Sequence, residues 1–231
     1  MPIQIVSEFL SDKPPLAEGH SAHEVLTAES NHRIANNLTL IAGMLRLHAR
    51  EIMATGRSLK PEEARLLLEE VGEKIQTVGR LHRLLAHAKD GRIDLGRYLN
   101  DIAEAAIDSM SVSGEMTLVQ RPWSLCEAQA QQAMLIGFIV GELVTNAVKY
   151  AHPAGVAGKL SVTCEPRPGG TVMIQVSDDG VGLPDGFDPR KAGGLGMRTI
   201  RGLADQLGAS LTFDSSGMGL NVRLLAPLLR N

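Results

Sequence analysis

Four groups of residues in this chain have the types and spacing to do chemistry. The first is Glu29-Ser-Asn-His32-Arg33-Ile-Ala-Asn36, a single histidine with an acid one turn before it and an amide one turn after it. A neutral imidazole is a good nucleophile near pH 7, so a histidine held out from a packed helix can accept a transferred group. Taken alone, an idle polar surface histidine is the simpler reading. The second group is Glu142, Asn146 and Lys149, spaced four and three, which share an arc of roughly 60° on a helix. Their oxygens suit a hard cation and their ammonium suits a phosphate, the needs of a magnesium-bound polyphosphate; an ordinary solvated helix face would look the same. The third is Ser177-Asp178-Asp179-Gly180-Val181-Gly182-Leu183-Pro184. A carboxylate at a strand end can accept from an exocyclic amine, and glycines let a ligand ring approach the backbone, although tight turns with incidental acids are common. The fourth is Gly193-Gly194-Leu195-Gly196-Met197-Arg198. Glycines opening a helix expose backbone amides to an anion.

These groups must be positioned by two kinds of structure. From about Ala22 to Met53 the pattern is helical, with Ile34, Leu38, Ile41, Leu45, His48 and Ile52 in one stripe and His32 nearly opposite it. Ala54-Thr-Gly-Arg-Ser-Leu-Lys-Pro61 is turn chemistry, and Pro61-Glu62-Glu63 starts a second helix expected to reach about His87. Leu68, Val71, Ile75, Val78, His82 and Leu85 give it a heptad-like seam. Two helices bury two seams poorly, so a four-helix bundle made by two chains is expected. Lys89-Asp-Gly-Arg92 marks a boundary. The expected divisions are a lead-in segment over 1–21, a helical hairpin over 22–90 and a mixed domain over 91–231. In the mixed domain we expect a strand at 93–95, a helix to about Met110, and strands near 115–121 and 123–125. A helix at 127–150, strands at 159–166 and 171–178, a helix at 195–207 and a hairpin at 209–214 and 219–226 follow. Residues 184–193 read as a mobile lid. The class is α+β: a helical hairpin, then one mixed sheet with helices on one face.

Composition is consistent with this. The chain has 231 residues, 44% of them apolar and only 3% aromatic, so the core must be aliphatic. A net charge of −3 and a pI near 6.2 argue against a protein built mainly to bind nucleic acid. The two cysteines, Cys126 and Cys164, form no metal-ligand spacing and read as buried thiols in a reducing cytoplasm. No signal peptide and no membrane span are expected.

In this order the motifs are specific. Glu142-Leu-Val-Thr-Asn146-Ala-Val-Lys149-Tyr150-Ala151, Asp178-Asp-Gly180-Val-Gly182 and Gly194-Leu-Gly196-Met resemble the N box and two glycine boxes of the GHKL ATP-binding fold, found in histidine kinases, gyrases, Hsp90 and MutL. The hairpin, with Glu29 to Leu38, Leu45-Arg-Leu47 and Arg80-Leu-His82-Arg-Leu-Leu85, resembles the dimerisation and phosphoacceptor hairpin of histidine kinases, of the HWE type with a His-Arg-x-x-Asn motif. The resemblance covers about residues 25–226. It implies a GHKL-type α/β sandwich that binds ATP and Mg²⁺, and a kinase that phosphorylates His32 and hands the group to a response regulator aspartate. It further implies Asn146, with Glu142, on magnesium, Lys149 on phosphate and Asp178 on the adenine amine. Tyr150, Gly180, Gly182, Gly194, Leu195 and Gly196 would shape the nucleotide pocket and lid. Arg33 stands where many histidine kinases place an acid, so the base stays open between Glu29 and Glu142. The lid is short, without a phenylalanine-rich box. About 25 residues before the motif cannot fold as a sensor, so either the chain is a fragment or input comes from a separate protein. Two alternatives differ in kind: a histidine phosphotransferase or adaptor with a degenerate ATP domain, and a regulatory GHKL switch.

Overall fold

The computed structural model describes residues 42–43, 46, 49, 53, 60–85, 91–110, 116–121 and 124–228, all within one compact unit, Ile41–Asn231. Glu29, His32 and the six-residue stripe of the first expected helix lie outside the described residues.

The second helix is α1, Pro61–Leu85. Proline at its first position gives up no hydrogen bond, and Glu62 and Glu63 meet the positive end of the helix dipole. Glu63 also reaches back to the Lys60 amide at 2.9 Å, half of a capping box. The expected seam is only partly buried: Val78 and Leu85 are inside, while Leu68 and Ile75 are exposed. The stripe that faces inward is Lys74, Val78, Leu81 and Leu85, spaced four, three and four. It is rotated from the expected seam because α1 lies along another helix of its own chain, where Thr77 sits over Gly141.

Strand β1 (Arg92–Asp94) ends on Asp94, whose Oδ1 accepts from the amides of Gly96 and Arg97 and so caps α2 (Leu95–Met110). Strand β2 is Met116–Leu118. The strand expected at 123–125 lies instead at β3 (Glu127–Gln129), and α3 begins three residues late, at Ala130. The reason is long-range. Ala128 opposite Ile93 makes β3 the antiparallel partner of β1, a pairing invisible to local periodicity.

Helix α3 (Ala130–Tyr150) is the core of the domain. Ile136, Phe138, Ile139, Val140 and Val144 are all at 0% exposure, so the helix is buried almost all round. It is long and apolar enough by composition to cross a membrane, yet 67% of its most apolar window is buried in this fold. Its contact with α2 is set at Gly137, where an added Cβ would come within 2.7 Å of the Tyr98 ring and hydroxyl. Tyr98 is 2% exposed and burial pushes its phenol pKa up, so the ring has nowhere to move. Gly137→Ala is therefore expected to lower stability by about 1–3 kcal/mol, the usual penalty of overpacking. Scanning calorimetry checks it: an unchanged melting temperature would mean that the two helices can separate freely.

The main sheet has the order β2-β4-β5-β7-β6, with β4 Gly158–Arg167, β5 Thr171–Asp178, β6 Ser210–Ser216 and β7 Gly219–Pro227. β2 runs parallel to β4 and every other pair is antiparallel. Helix α4 is Leu195–Leu207, closed by Gly208 in the left-handed conformation. Val172, Ile174 and Val176 of β5 stand opposite Ala226, Leu224 and Val222 of β7, and all six are buried on one face, against the helices. This is the expected mixed sheet with helices on one face.

Candidate nucleotide site

Two periodicities bring the site together. Along β5 side chains alternate, so the face that buries Val172, Ile174 and Val176 also carries Asp178, at the strand end. Along α3 the four-and-three spacing sets Glu142, Asn146 and Lys149 on one flank, which runs from buried Glu142 through half-buried Asn146 to exposed Lys149. Both flanks open on one cavity of about 530 Å³, lined by Asn146, Lys149, Tyr150, Asp178, Gly182 and Gly196 among others. That is a suitable size for a nucleotide, since ligand pockets run to roughly 300–1,000 Å³.

Asp178 is anchored by one oxygen. Its Oδ1 accepts from the amides of Gly180 (3.0 Å) and Leu220 (3.2 Å), and no described residue bonds to Oδ2. The turn after it is pressed onto the end of α3: Val181 donates to the Ala151 carbonyl at 2.9 Å, and a Cβ on Gly180 would stand 2.3 Å from that oxygen. Gly182 has a φ of +73°, and a side chain there would strike the Ser216 carbonyl. Asp179 points away and holds the loop from outside, with its Oδ1 on the Lys159 amide (2.7 Å) and on His152 Nε2 (2.9 Å). Burial works to raise the Asp179 pKa, but these two partners win and hold the carboxyl below its ordinary range.

Across the cavity, Gly194 and Gly196 open α4. A Cβ at Gly196 would meet Glu142 Oε2 at 2.7 Å and approach Asn146 Oδ1 at 3.9 Å, so this glycine makes room for both N-box side chains. Tyr150 lies at the rim, 67% exposed. Leu195 occupies the first position of α4. The segment expected to be a lid is strapped to α4 by Arg201, which donates to the carbonyls of Pro189 (2.7 Å) and Ala192 (2.8 Å).

Reading the sequence missed one participant. Lys74 of α1 enters the cavity and donates to both carboxylate oxygens of Glu142, with both residues buried. Beside it, Glu73 pairs with Lys149 at 3.4 Å. The available signal was a lysine sitting in register with Val78, Leu81 and Leu85.

A half-buried carboxylate at a strand end, a helix bearing amide and ammonium, and glycines opening the next helix define an ATP-binding domain of the GHKL class. Comparison with known proteins agrees. A model of the histidine kinase-, DNA gyrase B- and HSP90-like ATPases matches residues 131–230, and a histidine kinase model matches residues 29–110. The sensor histidine kinase PdtaS of Mycobacterium tuberculosis is 30% identical over 205 residues, covering 87% of this chain and 39% of the relative. The blue-light-activated histidine kinase 2 of Erythrobacter litoralis is 30% identical over 202 residues, covering 87% of this chain and 56% of the relative. The histidine kinase domain of the Erythrobacter litoralis EL346 blue-light activated histidine kinase superposes with a TM-score of 0.65 at 27% identity, over 87% of this chain and 92% of that one. The chain belongs to the histidine kinases, and within them to the HWE type. It spans 39% and 56% of the lengths of these two curated relatives.

Proposed function

We propose that this chain is the core of an ATP-dependent protein histidine kinase that phosphorylates itself on His32. The observation that carries the reading is the meeting of Asp178, Asn146 and Lys149 on one nucleotide-sized cavity, in a chain that belongs to the histidine kinases. In this reading residues 22–90 are the phosphoacceptor and dimerisation region and 91–231 the catalytic domain. ATP supplies the phosphoryl group and magnesium the charge neutralisation. Asp178 selects adenine through the oxygen its loop leaves free. Asn146 offers an amide oxygen to the metal, which commonly takes only one or two protein oxygens and completes its shell with phosphates and water. Lys149 faces the phosphates, and the opening turn of α4 offers its amides to them. Tyr150, Gly180, Gly182, Gly194, Leu195 and Gly196 frame the pocket. Glu142 is both a second metal ligand and, with Glu29, a candidate base. Catalysis is then positioning plus electrostatics.

The phosphoryl group passes to a receiver-domain aspartate of a response regulator. The working form is a homodimer through the hairpin, with input from a sensor domain or a separate sensor protein. We place the protein in the cytoplasm, in keeping with Cys126 and Cys164, which are buried free thiols.

The test is incubation with γ-labelled ATP and Mg²⁺. The protein should take up label that is lost in acid and kept in base, as a phosphoramidate behaves. A protein that binds ATP and takes up no such label would refute the kinase reading.

A further inference from the structure

We propose that α1 is a competitor of magnesium–ATP: Lys74 and Glu73 clasp the catalytic charges of α3, so that filling the nucleotide site and releasing α1 from it are one equilibrium. The inference rests on the ATP-binding reading above.

The buried stripe of α1 is apolar at Val78, Leu81 and Leu85, and Lys74 interrupts it. A lysine that is only 8% exposed needs its charge compensated, and its ammonium donates to both oxygens of Glu142, which is 3% exposed. One residue earlier, Glu73 reaches Lys149, two turns further along α3 than Glu142. The pairs are crossed in sign. α1 gives a cation to the carboxylate of α3 and an anion to its ammonium. Magnesium and a phosphate would supply the same complement: a cation for Glu142, an anion for Lys149. Lys74 thus stands in for the metal and Glu73 for the phosphate. An ammonium bonded to both Glu142 oxygens occupies the face that a dication would use, and its charge repels a dication at either oxygen, so the two occupants compete. Exclusion is reciprocal: whatever pulls α1 away raises nucleotide affinity, and nucleotide loosens α1 by the same factor. In the proposed reading α1 belongs to the same phosphoacceptor region, residues 22–90, as His32, so the clasp would tie the filling of the site to that region.

The test uses the full chain. Lys74→Met keeps the length of the side chain and removes its charge. It should tighten Mg²⁺–ATP binding, read by calorimetry, by about tenfold, within the usual range for coupled sites. Glu73→Gln should tighten it less, because that pair is exposed. In the unmodified protein, a non-hydrolysable ATP analogue with Mg²⁺ should speed amide hydrogen exchange across residues 73–81, a readout that needs no variant to fold. Weaker binding by Lys74→Met, restored in Lys74→Arg, would make Lys74 a nucleotide ligand and overturn the clasp. Unchanged affinity, or α1 amides equally or better protected with nucleotide, would overturn it too. If the unmodified protein bound no ATP, the functional reading itself would fall, and that result is distinct from the others.

Discussion

Alanine at Asn146 is expected to abolish labelling from ATP while leaving His32 able to accept a phosphoryl group from elsewhere. The side chain stands on the cavity wall, with its oxygen 3.9 Å from where a Cβ on Gly196 would lie. Losing it removes a neutral oxygen ligand and leaves no charge stranded, so the helix should fold as before. Removal of one well-placed electrostatic partner costs about a hundred- to a thousandfold in rate, enough to take the label to background. His32→Ala should abolish the label for the other reason, with ATP affinity unchanged, because in this reading His32 belongs to the hairpin and not to the pocket. The decisive control is a phosphorylated response regulator offered as donor. Asn146→Ala should take label from it on His32, and His32→Ala should not. If the unmodified protein is labelled by the regulator and never by ATP, the chain is a phosphotransferase with a relict nucleotide domain.

The second large effect is on recognition. Asp178→Asn should weaken ATP binding by about 2–3 kcal/mol, the scale of a hydrogen bond to a charged group left unmade. The substitution is selective because of how the aspartate is held. An asparagine can keep Oδ1 on the amides of Gly180 and Leu220, so the turn stays built. The position of Oδ2 becomes an NH₂, a donor facing the donor of adenine. Far-ultraviolet circular dichroism should match the parent. Equal affinity for ATP in the two proteins would show that Asp178 does not read the base. Asp178→Ala would be the less informative choice, since it also strands two amides.

The sequence showed some of this site and concealed the rest, for physical reasons. Glu142, Asn146 and Lys149 were legible because a helix of known period needs only its own spacing to say which side chains share a face. Asp178 was legible for the equivalent reason in a strand. β3 was misplaced, and α3 started late, because their boundary is set by pairing with Arg92–Asp94, more than thirty residues away. Lys74 was missed because its partner lies 68 residues downstream. Within its own helix it looks like a solvated lysine, and only the burial of Val78, Leu81 and Leu85 on the same line shows which way it faces. The seam through Leu68 and Ile75 was read correctly as apolar. What periodicity could not say was which of two apolar flanks the rest of the chain would cover.

The strand order has an evolutionary corollary. β5 and β7 are hydrogen-bonded neighbours, yet the chain between them runs out through the strap, α4 and β6 before returning. The strap is therefore an excursion from a sheet that closes without it. Doubling the length of such a loop costs only about 0.6 kcal/mol in closure entropy, less than a single well-made hydrogen bond to a charged group. Drift in the length of segment 179–194 should thus be nearly neutral for folding, and its extent is set by the few contacts that hold it, Arg201 on Pro189 and Ala192 foremost. Covers of different lengths can therefore lie over the same nucleotide bed at little cost in folding stability.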